Sequence, residues 1–187
     1  MDDTTDRGRV GEVRAAVAAR DPVDDRERRS IARFLAESAR LECPFDSRAD
    51  PTHVTGSGIV VGPRGVVLLR HKLLGFWLQP GGHLDEGEAP WEAAVRESRE
   101  ETGLDVRVPE RDRRAEGRAR LVHVDVHPAA RGHVHLDLRY LLEADGDPAP
   151  PPGESQQVRW FGWDEAVATA DEGLAGALRA LRPRPTG

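Results

Sequence analysis

The sequence predicts an α/β chain, with a mixed β-sheet between helical layers and a helical extension in front of it. Three observations carry the prediction. Apolar residues recur at helical spacing through residues 1–47. Beyond Val54 the pattern changes to short β-branched runs. Those runs alternate with only a few helical segments, which suits a sheet of mixed direction with helices packed on it. At 187 residues the chain is long enough for one main domain, placed at 48–187, with an appendage at 1–47.

The elements follow in order. Val10, Val13, Ala16 and Val17 mark a first helix that ends near Arg20, before Asp21-Pro22. A second runs from about Asp24 to Leu41, with Ile31, Phe34, Leu35, Ser38 and Leu41 on one stripe. A stripe of that kind has to pack on something, so the extension is expected to dock, on the main domain or across a homodimer. Val54–Val61 and Val66–Arg70 form a hairpin around Gly62-Pro63-Arg64-Gly65. Phe76-Trp77-Leu78 is a short strand, broken by Pro80-Gly81-Gly82. Pro90–Thr102 is a helix with proline in its first turn and Gly103 as its stop. Strands are expected at Arg120–His127, His133–Glu143 and Val158–Phe161, with a proline-rich loop over 146–153. Asp164 is expected to cap a helix to about Ala170, and Leu174–Leu181 makes the last one.

Composition excludes several function classes. With 27 basic and 33 acidic residues the net charge is −6, which argues against binding nucleic acid or an anionic membrane. No apolar run is long enough for a membrane span, and Met1–Arg9 is charged rather than leader-like, so a cytoplasmic location is expected. Cys43 is the only cysteine, which rules out an intramolecular disulfide or a multi-cysteine zinc site. Of the 27 basic residues only Lys72 is lysine; asparagine is absent, and isoleucine occurs only at Ile31 and Ile59. Guanidinium groups suit phosphates, but this joint skew is that of GC-rich coding. Among the arginines on strands, Arg70, Arg120 and Arg139 are the candidates for substrate contact.

The segment Gly82–Leu104, GHLDEGEAPWEAAVRESREETGL, carries the chemistry. Glu97, Glu100 and Glu101 stand at i, i+3 and i+4 and share one helix face. Arg96 can reach Glu100, yet it is one cation against three acids. A hard divalent cation complements such a face, since Mg2+ prefers oxygen ligands and leaves positions open for water and phosphate. Upstream, Pro80-Gly81-Gly82 brings bare backbone close to the helix start.

The full spacing runs Gly82, five residues, Glu88, seven residues, Arg96-Glu97, two residues, Glu100-Glu101, one residue, Gly103-Leu104. It resembles the Nudix box at every fixed polar and glycine position. The one departure is Ser98, where the family usually carries a bulkier aliphatic residue. The resemblance implies an α/β/α sandwich, with Mg2+ or Mn2+ held by Glu97, Glu100 and Glu101 and by the Gly81 carbonyl. It implies that Arg96 orients a box glutamate and that Glu88 is structural. The implied reaction is attack of water on the diphosphate of a nucleoside diphosphate linked to another moiety. The general base varies within the family, so it is either a box glutamate or a later-loop carboxylate, here Glu154. The alternative is a ligand-sensing module without turnover, which would not need all three glutamates. Sequence markers of NADH-cleaving, ADP-ribose-cleaving and dinucleoside-polyphosphate-cleaving members are absent, which leaves the nucleotide open.

A second polar cluster lies on the expected hairpin. With Pro128–Gly132 as its loop, His127 faces His133, Asp125 faces His135 and His123 faces Asp137. All six then share one side of the sheet, and Val122, Val124, Val126, Val134, Leu136 and Leu138 take the other. Three readings suit this face: a wall of the substrate pocket, a transition-metal site joined by His83, or the solvated side of an ordinary antiparallel hairpin. Phe76, beside the glycine loop, is the candidate for stacking a base.

Overall fold

In the computed structural model, which describes residues 3–72, 75–112 and 117–183, two helices precede the sheet. They are α1 (Asp3–Ala18) and α2 (Asp25–Arg40). Asp24 caps α2 by accepting the Glu27 N–H at 2.8 Å. Val13, Val17 and Phe34 are buried together in the main core, and Arg14 ties the helices by donating to Leu35 O and Ser38 Oγ.

Among the described residues there are seven strands, β1 (Thr52–Gly62), β2 (Gly65–Arg70), β3 (Trp77–Leu78), β4 (Gly81–His83), β5 (Leu121–Pro128), β6 (Val134–Glu143) and β7 (Val158–Phe161). They form one sheet in the order β3-β2-β1-β6-β5, with β4 on β1 and β7 on β2. Among the described residues only β1 and β6 run parallel, paired from Thr52↔Val134 to Val61↔Glu143, so the sheet is mixed.

Three more helices follow the same logic. α3 (Pro90–Thr102), with α1 and α2, covers the face that carries Val54, Val60, Leu136 and Leu138. α4 (Trp163–Thr169) and α5 (Glu172–Leu181) cover the face that carries Ile59, Leu68 and Leu141. The alternation along β1 and β6 sends successive side chains to opposite layers, which makes the expected α/β/α sandwich.

The extension docks along β5. Glu27 is fully buried and accepts from Arg20 Nε at 2.7 Å, Val23 N–H at 2.7 Å and Val124 N–H at 3.0 Å. Ser30 Oγ accepts the Val126 N–H at 3.1 Å. Backbone donors on this sheet edge therefore end on helix side chains instead of water.

Four expectations need correction. The glycines at 81 and 82 do not break the chain: tertiary pairing with Ser57 and Gly56 imposes strand β4 on a sequence with little strand propensity of its own. Asp164 lies inside the first turn of α4, whose cap is Gly162, while Asp171 caps α5 and starts it at Glu172. The β5–β6 loop is Ala129–His133, because Pro128 stays in the ladder opposite Val134. The pairing is therefore His127↔His135, Asp125↔Asp137 and His123↔Arg139. Finally, Val122 falls at a bulge between the Leu121↔Tyr140 and His123↔Arg139 pairs, and its side chain joins Leu141 and Phe161 in the opposite core.

Candidate active site

Helix α3 presents the box. Its Ala93, Ala94, Ser98 and Thr102 are buried against the sheet, which leaves Arg96, Glu97, Glu100 and Glu101 at the rim. Gly103, at φ 68°, ends the helix in the left-handed conformation that favours glycine. Ser98 is small for a local reason. A Cβ added at Gly58 would lie 2.2 Å from Ser98 Oγ and 2.7 Å from a Leu142 methyl, so helix and strand are already in close contact there. A branched aliphatic residue at 98 has no room.

Arg96 organises the start of the box. Its Nε and Nη2 donate to the two Glu88 oxygens at 2.9 and 2.8 Å, a bidentate pair. Nη1 reaches Glu97 at 2.8 Å and Glu100 at 3.1 Å, and Nη2 also holds the His83 carbonyl at 2.9 Å. One arginine thus fastens β4, the loop after it and two box glutamates.

Strand β4 delivers bare backbone to Glu101 and Glu97. The Gly81 N–H donates to Glu101 Oε2 at 2.9 Å. A residue's N–H and C=O point to the same side of an antiparallel strand, so the Gly81 carbonyl also turns toward these acids. A Cβ on Gly82 would sit 2.6 Å from Glu97 Oε1. Burial pushes the Glu101 carboxyl up to about 7, against the Gly81 N–H; the charges of Glu97 and Glu154 add to the rise and Lys72 opposes it. Burial also raises Glu97, against the pull of Arg96. Glu100 is half exposed. Partly buried carboxylates that repel one another, beside a glycine carbonyl, form an all-oxygen donor set short of positive charge. That chemistry fits Mg2+ or Mn2+.

Next to this face, Lys72 Nζ lies 3.6 Å from Glu154 and donates to the Gly153 carbonyl. The loop that carries Glu154 is fastened to β2, where Ser155 Oγ donates to the Arg70 carbonyl at 2.8 Å and the Arg70 N–H to the Gln157 carbonyl at 2.9 Å. Arg70, Lys72, Gly75, Glu154 and Gln157 line an open cleft. Phe76 is 59% exposed next to it. Lys72 has no role in the sequence reading; its only signal there is being the single lysine of the chain.

The histidine–aspartate face is arranged differently from its expectation. His123, Asp125 and Asp137 are 0%, 1% and 2% exposed, so they do not wall an open pocket. Arg139, also buried, sits between the two aspartates and donates to Asp137 at 3.0 Å and Asp125 at 3.2 Å. Asp137 further accepts from Thr55, Ser57 and Gln79, and Asp125 from Arg26 and His127. Burial alone would raise the Asp125 carboxyl, but His127 and Arg139 hold it well below the usual carboxylate range. Burial, with Arg139 beside it, lowers His123 to about 3. Arg139 is thus a buried counter-ion, not a substrate contact, and Arg120 pairs with Asp112 at 2.5 Å. The outer end of the face is a cluster of imidazoles in which His135 and His133 meet His53 and His83. Sequence reasoning missed His53, Thr55 and Ser57 here, because only the parallel β1–β6 pairing brings β1 beside β6, and Gln79, which reaches Asp137 from the link between β3 and β4.

The structure brings Gly81, Arg96, Glu97, Glu100 and Glu101 together, and sets Arg70 and Glu154 around a neighbouring cleft, with the exposed Phe76 following Gly75 of its lining. An α/β/α sandwich whose mixed sheet lays a glycine strand against a three-glutamate helix face defines a class of phosphoanhydride hydrolases. The sequence matches the NUDIX domain over residues 51–181, and the chain belongs to that family. A NUDIX-family hydrolase from Clostridium perfringens is 28% identical, with a TM-score of 0.56 over 70% of this chain and 98% of that one. A Mycobacterium tuberculosis protein, provisionally named 8-oxo-dGTP diphosphatase 3, is 35% identical over 130 residues, covering 64% of this chain and 55% of the relative. The chain therefore spans about half the length of that curated relative. The asymmetrical bis(5'-nucleosyl)-tetraphosphatase of Caenorhabditis elegans is 27% identical over 107 residues, 54% of this chain and 70% of the relative. Among the described residues no helix is long and apolar enough to cross a membrane.

Proposed function

We propose that the chain hydrolyses a phosphoanhydride, cleaving the diphosphate of a nucleoside diphosphate linked to another moiety by attack of water. The observation that carries this reading is the meeting of Glu97 and Glu101 with the bare backbone of Gly81 and Gly82, with Arg96 largely committed to Glu88. Glu97, Glu100, Glu101 and the Gly81 carbonyl would hold Mg2+ or Mn2+. When bound, the cation neutralises phosphate charge and acidifies a water. Arg96 keeps Glu97 and Glu100 in place. Glu101 and Glu154 are the two carboxylates placed to take the proton of the attacking water. Lys72 and Arg70, at the mouth of the cleft, face phosphate oxygens, and Phe76 offers a ring to the base. The substrates in the relatives' names, an oxidised purine triphosphate and a dinucleoside tetraphosphate, share a nucleoside diphosphate linked to a further group, and that unit is what the proposal requires.

The test is Mg2+-dependent product release from 8-oxo-dGTP, a dinucleoside tetraphosphate and nucleotide sugars. At least one is turned over; chelation abolishes turnover, and Glu101→Gln lowers it by roughly 1000-fold. Metal-dependent turnover retained in both Glu100→Gln and Glu101→Gln would overturn the assigned site. Nucleotide binding with no turnover of any substrate would favour the ligand-sensing alternative.

A further inference from the structure

We propose that His53, His83 and His135 form a binding site for a borderline divalent cation of the Zn2+ class, separate from the glutamate site. The three residues come from three strands, β1, β4 and β6. Each offers one imidazole nitrogen, and all three nitrogens lie within 4.8 Å of one another. The ring centroids are 4.8 Å apart for His53–His83, 5.2 Å for His53–His135 and 5.4 Å for His83–His135.

The protonation of His53 points the same way. Its Nδ1 lies 3.2 Å from the Asp50 carbonyl, which can only accept, so Nδ1 carries the proton. Nε2 is then a bare lone pair. It is buried and has no hydrogen-bond partner among the described residues, and His53 as a whole is fully buried. An imidazole held by a carbonyl on one nitrogen and aimed by the other into a cluster of imidazoles is the usual arrangement of a metal-bound histidine. No ring of the three donates to a carboxylate among the described residues, so ordinary hydrogen bonding does not account for the cluster.

The donor set decides the metal. Three imidazole nitrogens without an oxygen suit Zn2+, Co2+, Ni2+ or Cu2+ and not Mg2+. Strand β4 thereby serves two chemistries. Gly81 and Gly82 meet the glutamates, and the next residue, His83, turns to the imidazoles. Zinc–nitrogen bonds of about 2.0–2.1 Å require the three nitrogens to draw in to about 3.4 Å of one another. His83 is exposed and can turn inward. The fourth position falls to water or to His133, whose ring centroid is 5.3 Å from that of His53.

The experiment is a titration of the full chain with Co2+ in excess Mg2+, which keeps the glutamate site supplied with its own ion, read by visible absorption. One equivalent gives a saturable, intense band of low-coordinate type, and Zn2+ displaces it. His83→Ala and His135→Ala each weaken binding on the order of 100-fold, whereas Glu101→Gln leaves the band in place. Zn2+ also raises the unfolding midpoint of the parent chain by roughly 5 °C, and that of His83→Ala much less. His83 is exposed, so its variant keeps the fold even if His135→Ala does not, and circular dichroism checks this. Absence of a saturable band would overturn the proposal. So would a band that survives in both histidine variants, or one lost in Glu101→Gln; the last outcome would assign Co2+ to the glutamates and leave the hydrolase reading standing.

Discussion

Two groups of acids lie on the two sides of β1, and they are provisioned in opposite ways. Beneath α5, Asp137 accepts from Thr55, Ser57, Gln79 and Arg139, and Asp125 from Arg26, His127 and Arg139. Against α3, Glu101 accepts from a single backbone N–H among the described residues, and Glu97 shares Arg96 with Glu88 and Glu100. The aspartates are the more deeply buried and the better served; Glu101 is the one pushed up to about 7. On the proposed assignment, burial of an acid does not by itself mark the chemistry. A shortage of donors does, because it leaves charge for a cation to satisfy.

The comparison can be broken by mutation. The largest effect is expected at Glu101→Gln, where turnover falls roughly 1000-fold while the denaturant midpoint stays level or rises, since a poorly compensated carboxylate is removed. A stability loss instead would mean that Glu101 is as structural as the aspartates. Arg139→Met is expected to do the reverse and cost about 3–5 kcal/mol in equilibrium unfolding, because Asp125 and Asp137 lose their buried counter-charge. A cost below about 1 kcal/mol would show that hydroxyl and amide donors suffice.

His123 sharpens the same point through pH. In the folded chain it stays neutral down to about pH 3, whereas the unfolded chain protonates it near 6.5. Between those values the unfolded state binds the extra proton. Its contribution is complete above about pH 6.5 and is lost on acidification, by roughly 2 kcal/mol at pH 5. His123→Gln should flatten the fall in stability between pH 7 and pH 5 by about that amount, measured by urea unfolding; an unchanged slope would mean that other groups set the acid sensitivity. The smallest effect is at Ser98, whose hydroxyl is buried without a partner among the described residues. Ser98→Ala should stabilise by about 0.5–1 kcal/mol in the same assay, and destabilisation would show that the hydroxyl is satisfied in solution.

What could be read from the sequence divides along similar lines. Glu97, Glu100 and Glu101 were legible because helical spacing alone places them on one face. The α3 limits, the β1–β2 hairpin and the docked stripe on α2 were legible for the same local reason. Strand β4 was not, since two glycines signal a break and only partners on β1 make them a strand. The β5–β6 register was misread by one loop position, because nothing local decides whether Pro128 ends the strand or begins the turn. His53 could not be joined to His83 and His135 from spacing, as long-range pairing alone puts β1 beside β4 and β6. Lys72 was visible as an oddity of composition, and only the fastening of the Glu154 loop to β2 gave it a place.

The contacts from Glu27 and Ser30 to the β5 backbone bear on how the molecule keeps to itself. An uncovered outer strand offers a row of N–H donors that a second copy can pair with, and natural proteins block such rows to avoid stacking into aggregates. Here the block is supplied by a helix that precedes the family-matched segment at 51–181. The evolutionary boundary and the physical one thus fall in different places. The segment shared with relatives carries the proposed glutamate site, and the extension guards its exposed flank.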